Sequence, residues 1–248
     1  MEEKALLELK NIGKSFDKNV VHLDINLKLY QNETLGLLGG SGTGKSVLLR
    51  EIVGLEYVDH GEVIYHDQPI QNLKEIDLFK IRTKISYSFQ NGALFDSQNV
   101  FDNLAYPLFE HTDLSLEEIS AKVAEILGLI GLEGSEKLMP SDLSGGMQKR
   151  IGMARAIILE PEIILYDEPT AGLDPSNTQN ILSVMEKLKG TGVSSIFVTH
   201  DIPAALKICD RILILYEGKI AFSGSPREFI DSENPIVKEF FLNSIKEV

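Results

Sequence analysis

From residue 23 to residue 29 the apolar side chains fall at Leu23, Ile25, Leu27 and Leu29. That is the period of two of a half-buried strand, and it predicts antiparallel sheet near the start of the chain. Residues 35–38 are instead continuously apolar and run into glycines, after which Val47, Leu48, Leu49, Ile52 and Val53 follow at helical spacing. This order predicts a buried strand, a glycine loop and a helix. In the middle of the chain, Ser115 and Glu118 have the form of a capping box, and Leu116, Ile119, Val123, Ile126, Leu127 and Ile130 mark one helical face behind it. Further helix is expected over 101–108 and 146–159.

Beyond that point strands and helices alternate: strand 163–166, a helix through 181–188, strand 195–199, then helix 203–209. Such alternation implies crossover connections and a largely parallel sheet. Glu217 and Gly218 separate the apolar runs 211–216 and 219–222 and predict a closing hairpin. Near the end, Ile236, Val237, Phe240, Phe241 and Ile245 form an apolar stripe on a final helix, suited to packing on its own domain or to contact with a second copy or a regulatory subunit. The fold class is α/β, with a helix-rich insertion over about 91–158.

Composition narrows the setting. The 248 residues are 43% hydrophobic and 25% charged, enough to bury a core in one large domain or two small ones. Asp and Glu number 37 against 24 for Lys and Arg, a formal charge of −13. That sign disfavours nucleic acid as a partner and a polybasic membrane anchor, both of which need clustered cations. Cys209 has no second cysteine to bond, and MEEKALLELK lacks the basic-then-apolar layout of a secretory signal, so a cytoplasmic setting is expected. The apolar runs stop far short of the roughly 20 residues that cross a bilayer. Any membrane role would be peripheral or through a partner.

The chemistry begins at Gly39, Gly40, Ser41, Gly42, Thr43, Gly44, Lys45 and Ser46, with Val47 opening the helix. The pattern is strand, G-x-x-x-x-G-K-S, helix. Glycines let backbone N–H groups turn inward around phosphate oxygens, Lys45 reaches the outer phosphates, and the Ser46 hydroxyl suits Mg²⁺. Downstream, the strand 163–166 runs into Asp167 and Glu168. A parallel strand beside the phosphate-loop strand would bring Asp167 to the Mg²⁺ shell and leave Glu168 to polarise an attacking water. Leu143, Ser144, Gly145, Gly146, Met147 and Gln148 stand just before another predicted helix and make a second phosphate-sized nest. If the first loop already encloses the phosphate, the natural use of the second nest is to close over a nucleotide held by another copy.

These motifs, with Gln90, the run Ala171, Gly172, Leu173, Asp174 and then His200, occur in the order and approximate spacing of the ATP-binding cassette (ABC) ATPases, which the chain resembles over essentially its whole length. The resemblance implies a P-loop NTPase with a RecA-like core, an N-terminal antiparallel β subdomain and an inserted α-helical subdomain. Within a single domain of 1–248, the core and β subdomain take about 1–90 and 159–225, the helical subdomain about 91–158 and a helical tail about 226–248. It implies a head-to-tail homodimer with two ATP molecules between loop and signature. Lys45 and residues 39–47 would hold phosphates, and Ser46, Gln90 and Asp167 would serve Mg²⁺. Glu168 would be the catalytic base, and His200 would contact the γ-phosphate and the attacking water. Phe16 would stack on adenine, against the alternative of a core aromatic. Ser144, Gly145, Gly146, Met147 and Asp174 would act in trans on the opposite site.

The segment Gln90, Asn91, Gly92, Ala93, Leu94, Phe95, Asp96, Ser97, followed by Val100, Phe101, Asp102, Asn103, resembles the ATPases of Mla- and Mce-type lipid transport systems. Met139, Pro140, Ser141 and Asp142 before the signature point the same way, as does the pair Gly39 and Gly40. Gln148 departs from the basic residue common in that branch, and Phe16 from its tyrosine. That likeness implies a transmembrane permease of the Mla type, an Mce-domain lipid-binding protein and a small STAS-domain subunit as partners. The cargo would be phospholipid moving between inner and outer membranes, with this chain on the cytoplasmic face of the inner one. In the family the loop after Gln90 faces the permease, and Ala93, Leu94 and Phe95 would either form an apolar pocket there or pack internally. The other transport reading is an importer of amino acids or another small solute.

Overall fold

An antiparallel hairpin opens the chain, β1 (Leu7–Phe16) and β2 (Asn19–Leu29), turning at Asp17 with φ 53. The computed structural model describes residues 4–90 and 92–246, with side chains described as far as Phe241. Strand β3 (Thr34–Leu38) leads into α1 (Lys45–Ile52), and β4 (His60–Tyr65) and β5 (Gln68–Pro69) return to the hairpin, giving a sheet ordered β2-β1-β4-β5. Leu7, Leu9, Ile12, Ile25, Leu27 and Leu29 are buried beneath it. Leu23 breaks the expected alternation: it is 49% exposed, while His22 is 1% exposed. The register slips between the pairs Ile12 with Ile25 and Lys14 with His22, two residues on one strand against three on the other. One extra residue flips the facing of everything beyond it, so the core receives His22 in place of Leu23.

The chain continues through α2 (Glu75–Lys84), β6 (Ile85–Ser88), α3 (Val100–His111), α4 (Leu116–Ile130) and α5 (Gly145–Ile157). It closes with β7 (Ile163–Asp167), α6 (Pro175–Lys189), β8 (Ser194–Thr199), α7 (Ile202–Ile208), β9 (Arg211–Tyr216), β10 (Lys219–Gly224), α8 (Pro226–Ile230) and α9 (Pro235–Lys246). The second sheet runs β10-β9-β3-β8-β7-β6, parallel except for the terminal hairpin of β9 and β10. Every residue of β3, β7 and β8 is buried, as expected of strands covered on both faces. Their alternate side chains feed two cores: Leu35, Leu37, Ile196 and Val198 pack under the antiparallel sheet with Leu48 and Leu49, whereas Leu38 and Phe197 join the helices α3 to α7. The acidic strand does not lie beside the phosphate-loop strand as expected, because β8 sits between them.

Local signals were faithful at the helix ends. Ser115 and Glu118 close the capping box of α4, and Gly131 ends that helix at φ 67, where a β-carbon would be strained. Helix α5 stops at Ile157, two residues before the expected end. On α9, Val237 is fully buried, Ile236, Phe240 and Phe241 pack against the helical core, and Phe241 stacks 5.1 Å from Phe229. That half of the stripe packs on its own domain; the Ile245 side chain lies outside the described residues.

Cys209 is not on a helix face. It caps the C-terminus of α7 at 6% exposure, and a β-carbon on Gly36 of β3 would stand 2.8 Å from its sulfur. Burial pushes its thiol up to about 12. The folded protein is expected to be silent to a thiol reagent at neutral pH and to react fully once denatured, as measured by mass spectrometry of the alkylated chain.

Candidate functional site

At the carboxyl end of β3 the chain turns through residues 39–44 into α1. Gly42 at φ 75 and Gly44 at φ 99 lie in the left-handed region that glycine tolerates. A β-carbon on Gly39 would stand 2.7 Å from Thr43 Oγ1 and 2.9 Å from the Leu215 carbonyl, so only glycine lets this loop lie against β9. The Lys45 ammonium folds back over the loop and donates to the carbonyls of Gly39 at 2.8 Å and Gly40 at 2.9 Å. Burial lowers its pKa from the ordinary lysine value, against the opposing pull of Glu168 and Asp167.

Helix α1 carries Ser46 across the sheet to β7, bridging the gap that β8 creates. Ser46 Oγ donates to Asp167 Oδ1 at 2.7 Å, and Tyr87 Oη donates to Asp167 Oδ2 at 2.7 Å. Tyr87 was not singled out from sequence. It arrives because β6 pairs with β7, and burial followed by its bond to Asp167 drives its own pKa upward. Glu168 has φ 50, a conformation a non-glycine residue holds only when its surroundings enforce it. Here its N–H donates to the Val198 carbonyl at 3.0 Å. His200 Nδ1 donates to Glu168 Oε2 at 2.7 Å, and Lys45 Nζ lies 3.9 Å from Oε1. A carboxylate only accepts, so in this contact Nδ1 carries the proton.

The loop, Lys45, Ser46, Glu168 and His200 open onto one cleft of about 990 Å³, lined by residues 39–47 with Phe16, Val21, Gln90, Glu168, His200, Ile202, Tyr216, Glu239 and Phe240. Phe16 is 41% exposed, with the Lys14 ammonium 4.8 Å from the centre of its ring, so it is a wall of the cleft and no core aromatic. Glu239 and Phe240 of α9 were not anticipated there. Their approach depends on where α9 docks, a place its apolar stripe does not specify.

Ser144, Gly145, Gly146, Met147 and Asp174 are brought together with one another, away from this cleft. Ser144 caps α5 by accepting the Met147 N–H at 3.3 Å, and both Ser144 and Gly145 are exposed. Asp174 caps α6, accepting the Asn177 N–H at 3.0 Å and its amide Nδ2 at 2.6 Å, bonds that hold its carboxyl below the usual aspartate value. A β-carbon on Gly146 would stand 2.5 Å from Asn177 Oδ1. Asn177 therefore packs closely against the start of α5, and Lys149 adds a bond from α5 to the Ala171 carbonyl.

The sequence pattern of the ABC transporter family matches residues 23–171. The chain belongs to that family. As an ABC ATPase it binds and hydrolyses ATP. The cassette is 38% identical over 236 residues, 95% of its length and 88% of the other's, to the intermembrane phospholipid transport system ATP-binding protein MlaF of Escherichia coli K12. It is 39% identical over 238 residues, 94% of its length and 68% of the other's, to the probable ribonucleotide transport ATP-binding protein mkl of Mycobacterium leprae. Among solved structures, the dimeric ATP-binding cassette MJ0796 in a post-hydrolysis state with ADP and Pi superposes with a TM-score of 0.83 at 32% identity, covering 89% of this cassette and 99% of that chain.

Proposed function

We propose that two copies of this cassette close head to tail on ATP and drive a membrane permease that moves phospholipid between the inner and outer membranes. The observation that carries the shared site is the separation just described: the Ser144 turn is exposed, capped and outside the cleft of its own Lys45. The N–H groups at the start of α5 suit a phosphate brought by a second copy. The relative MlaF, similar over 95% of the cassette, carries the lipid part.

In this reading Lys45 and the amides of 39–47 hold the phosphates, and Phe16 stacks on adenine with its outer face. Ser46 Oγ and Asp167 Oδ1 stand 2.7 Å apart with Gln90 on the same cleft, a set of hard oxygen donors that fits Mg²⁺. These three would hold the ion, which supplies charge neutralisation on the phosphates when bound. Tyr87 fixes the Asp167 carboxylate from behind. Glu168 orients and deprotonates the attacking water, and His200, itself on the cleft wall, fixes that carboxylate with Nδ1. From the opposite copy, Ser144, Gly145, Gly146 and Met147 cap the γ-phosphate, and Asp174 crosses the interface.

The permease contact follows from the surface beyond Gln90. A groove runs between Arg82, Ser86, Phe89, Gly92, Pro107 and Arg155. Phe89, which lines it, is 43% exposed, and Phe95 and Tyr106 are likewise more than 40% exposed. Leu94 packs on the core, whereas Phe95 stays at the surface, edge-on to Tyr106 at 5.3 Å and 5.0 Å from the Arg155 guanidinium. Asn91 lies outside the described residues. Among those described, no helix is long and apolar enough to cross a membrane. The cassette would sit on the cytoplasmic face of the inner membrane through a permease helix in this groove, in company with an Mce-domain protein and a STAS-domain subunit.

Phe95→Asp is expected to keep soluble ATP binding and to abolish co-purification with the permease after mild detergent extraction. The decisive test of the cargo is the same extraction from wild-type cells. Recovery of an Mce-domain protein and bound phospholipid is the expected result, and recovery of a solute-binding protein would overturn the lipid reading.

A further inference from the structure

Directly beneath the phosphate loop lies a polar pair that the steps above do not use. His22 of β2 is 1% exposed and Glu51 of α1 is 2% exposed. His22 Nε2 lies 3.2 Å from the Gly44 carbonyl, and Nδ1 lies 3.3 Å from Glu51 Oε1 and 3.1 Å from Oε2. A carbonyl only accepts, so Nε2 carries a proton, and Nδ1 and the carboxyl share a second one on either side of their contact. Both Glu51 oxygens face the same ring nitrogen, and Oε2 finds no donor besides it among the described residues. A half-satisfied buried carboxyl costs stability that two apolar side chains in the same space would not. Retaining such a pair against that cost points to a task.

We infer that His22 is a positioning residue for the phosphate loop, itself held by Glu51. Gly44 is the last residue before α1, and its carbonyl already accepts the Leu48 N–H of the helix at 2.9 Å. His22 supplies a second donor from the side, using the remaining lone pair. In a planar trans peptide the carbonyl and the following N–H point in opposite directions. Anchoring the Gly44 carbonyl beneath the loop therefore aims the Lys45 N–H into the cleft, where a phosphate oxygen needs it. The contact is close as well as polar: a β-carbon on Gly44 would stand 2.7 Å from His22 Nε2 and 2.5 Å from Val21. On the neighbouring strand β1, Lys14 pairs with His22 in register, and its ammonium is held by the Tyr57 carbonyl at 2.6 Å, Glu56 at 2.8 Å and Asp59 at 3.7 Å.

The role presupposes that the loop binds ATP phosphates, so wild-type protein and Lys45→Ala are titrated first with a fluorescent ATP analogue without Mg²⁺. Failure of the wild type to bind would strike the nucleotide site itself. The doubly apolar variant His22→Leu with Glu51→Leu fills the space and leaves no orphaned group. Its melting temperature should hold or rise, while analogue affinity should fall about five- to tenfold, the worth of one hydrogen bond. Glu51→Gln, whose amide donates to Nδ1 while Nε2 keeps its proton, should bind nearly as the wild type does. Wild-type affinity in the leucine pair, or an equal loss in Glu51→Gln, would overturn the role. NMR needs no variant: the His22 ring signals should shift as the analogue binds, and unmoved signals would also overturn it.

Discussion

Glu168→Gln is expected to lower ATP turnover by about a hundred- to ten-thousand-fold, the usual worth of a positioned general base, while ATP binding persists. The side chain keeps its length, and its carbonyl oxygen can still accept from His200 Nδ1, now 2.7 Å from Glu168 Oε2. What disappears is a basic oxygen and a negative charge beside the triphosphate. Loss of that charge also removes repulsion on nucleotide binding, so dimers closed on Mg-ATP should accumulate. Size-exclusion chromatography with multi-angle scattering would show this as a stable two-cassette peak. Turnover at the wild-type rate would remove Glu168 from the chemistry, and a monomer under saturating Mg-ATP would separate hydrolysis from closure.

The second large effect is expected at Lys45. Its ammonium rests on the Gly39 and Gly40 carbonyls, 8% exposed, with Asp167 and Glu168 as the nearby opposite charges. Lys45→Ala leaves those two acids facing the phosphates without compensation. Charge-assisted bonds contribute about 1.5–3 kcal/mol each, and loss of two should weaken ATP binding at least about a hundredfold. Isothermal titration calorimetry reads this directly, and undiminished binding would reject the phosphate cradle. Because burial lowers the lysine pKa, its charge is lost at a lower pH than that of an ordinary lysine. Wild-type affinity in the absence of Mg²⁺ should accordingly begin to fall on the alkaline side before the ordinary lysine range is reached.

What the chain discloses by itself is what sits close together in sequence. The strand, loop and helix of residues 34–52 are one local unit, and Ser115 and Ser144 announce their helices because a cap is set by neighbours three residues away. Contacts made by sheet pairing are another matter. Tyr87 reaches Asp167 across 80 residues only because β6 lies against β7, and no local period encodes that pairing. The insertion of β8 between β3 and β7 is equally silent, since alternating strands and helices permit several orders. Leu23 misled because period-two reading assumes an unbroken register, and one extra residue in β2 reverses it. That same irregularity places His22 under the phosphate loop. Glu239 and Phe240 reach the cleft only through the docking of α9.

Everything proposed for membrane work rests on an ATP site built from two copies. Ser144→Arg should be tolerated by the fold, since Ser144 is exposed and only a helix cap is lost, about 1 kcal/mol. Purified Lys45→Ala and Ser144→Arg proteins should each be inactive. Mixed in equal amounts, they should regain ATP hydrolysis, because a mixed pair joins one intact phosphate loop to one intact Ser144 turn. Full turnover by Ser144→Arg alone, or a mixture as inert as its parts, would contradict the shared site.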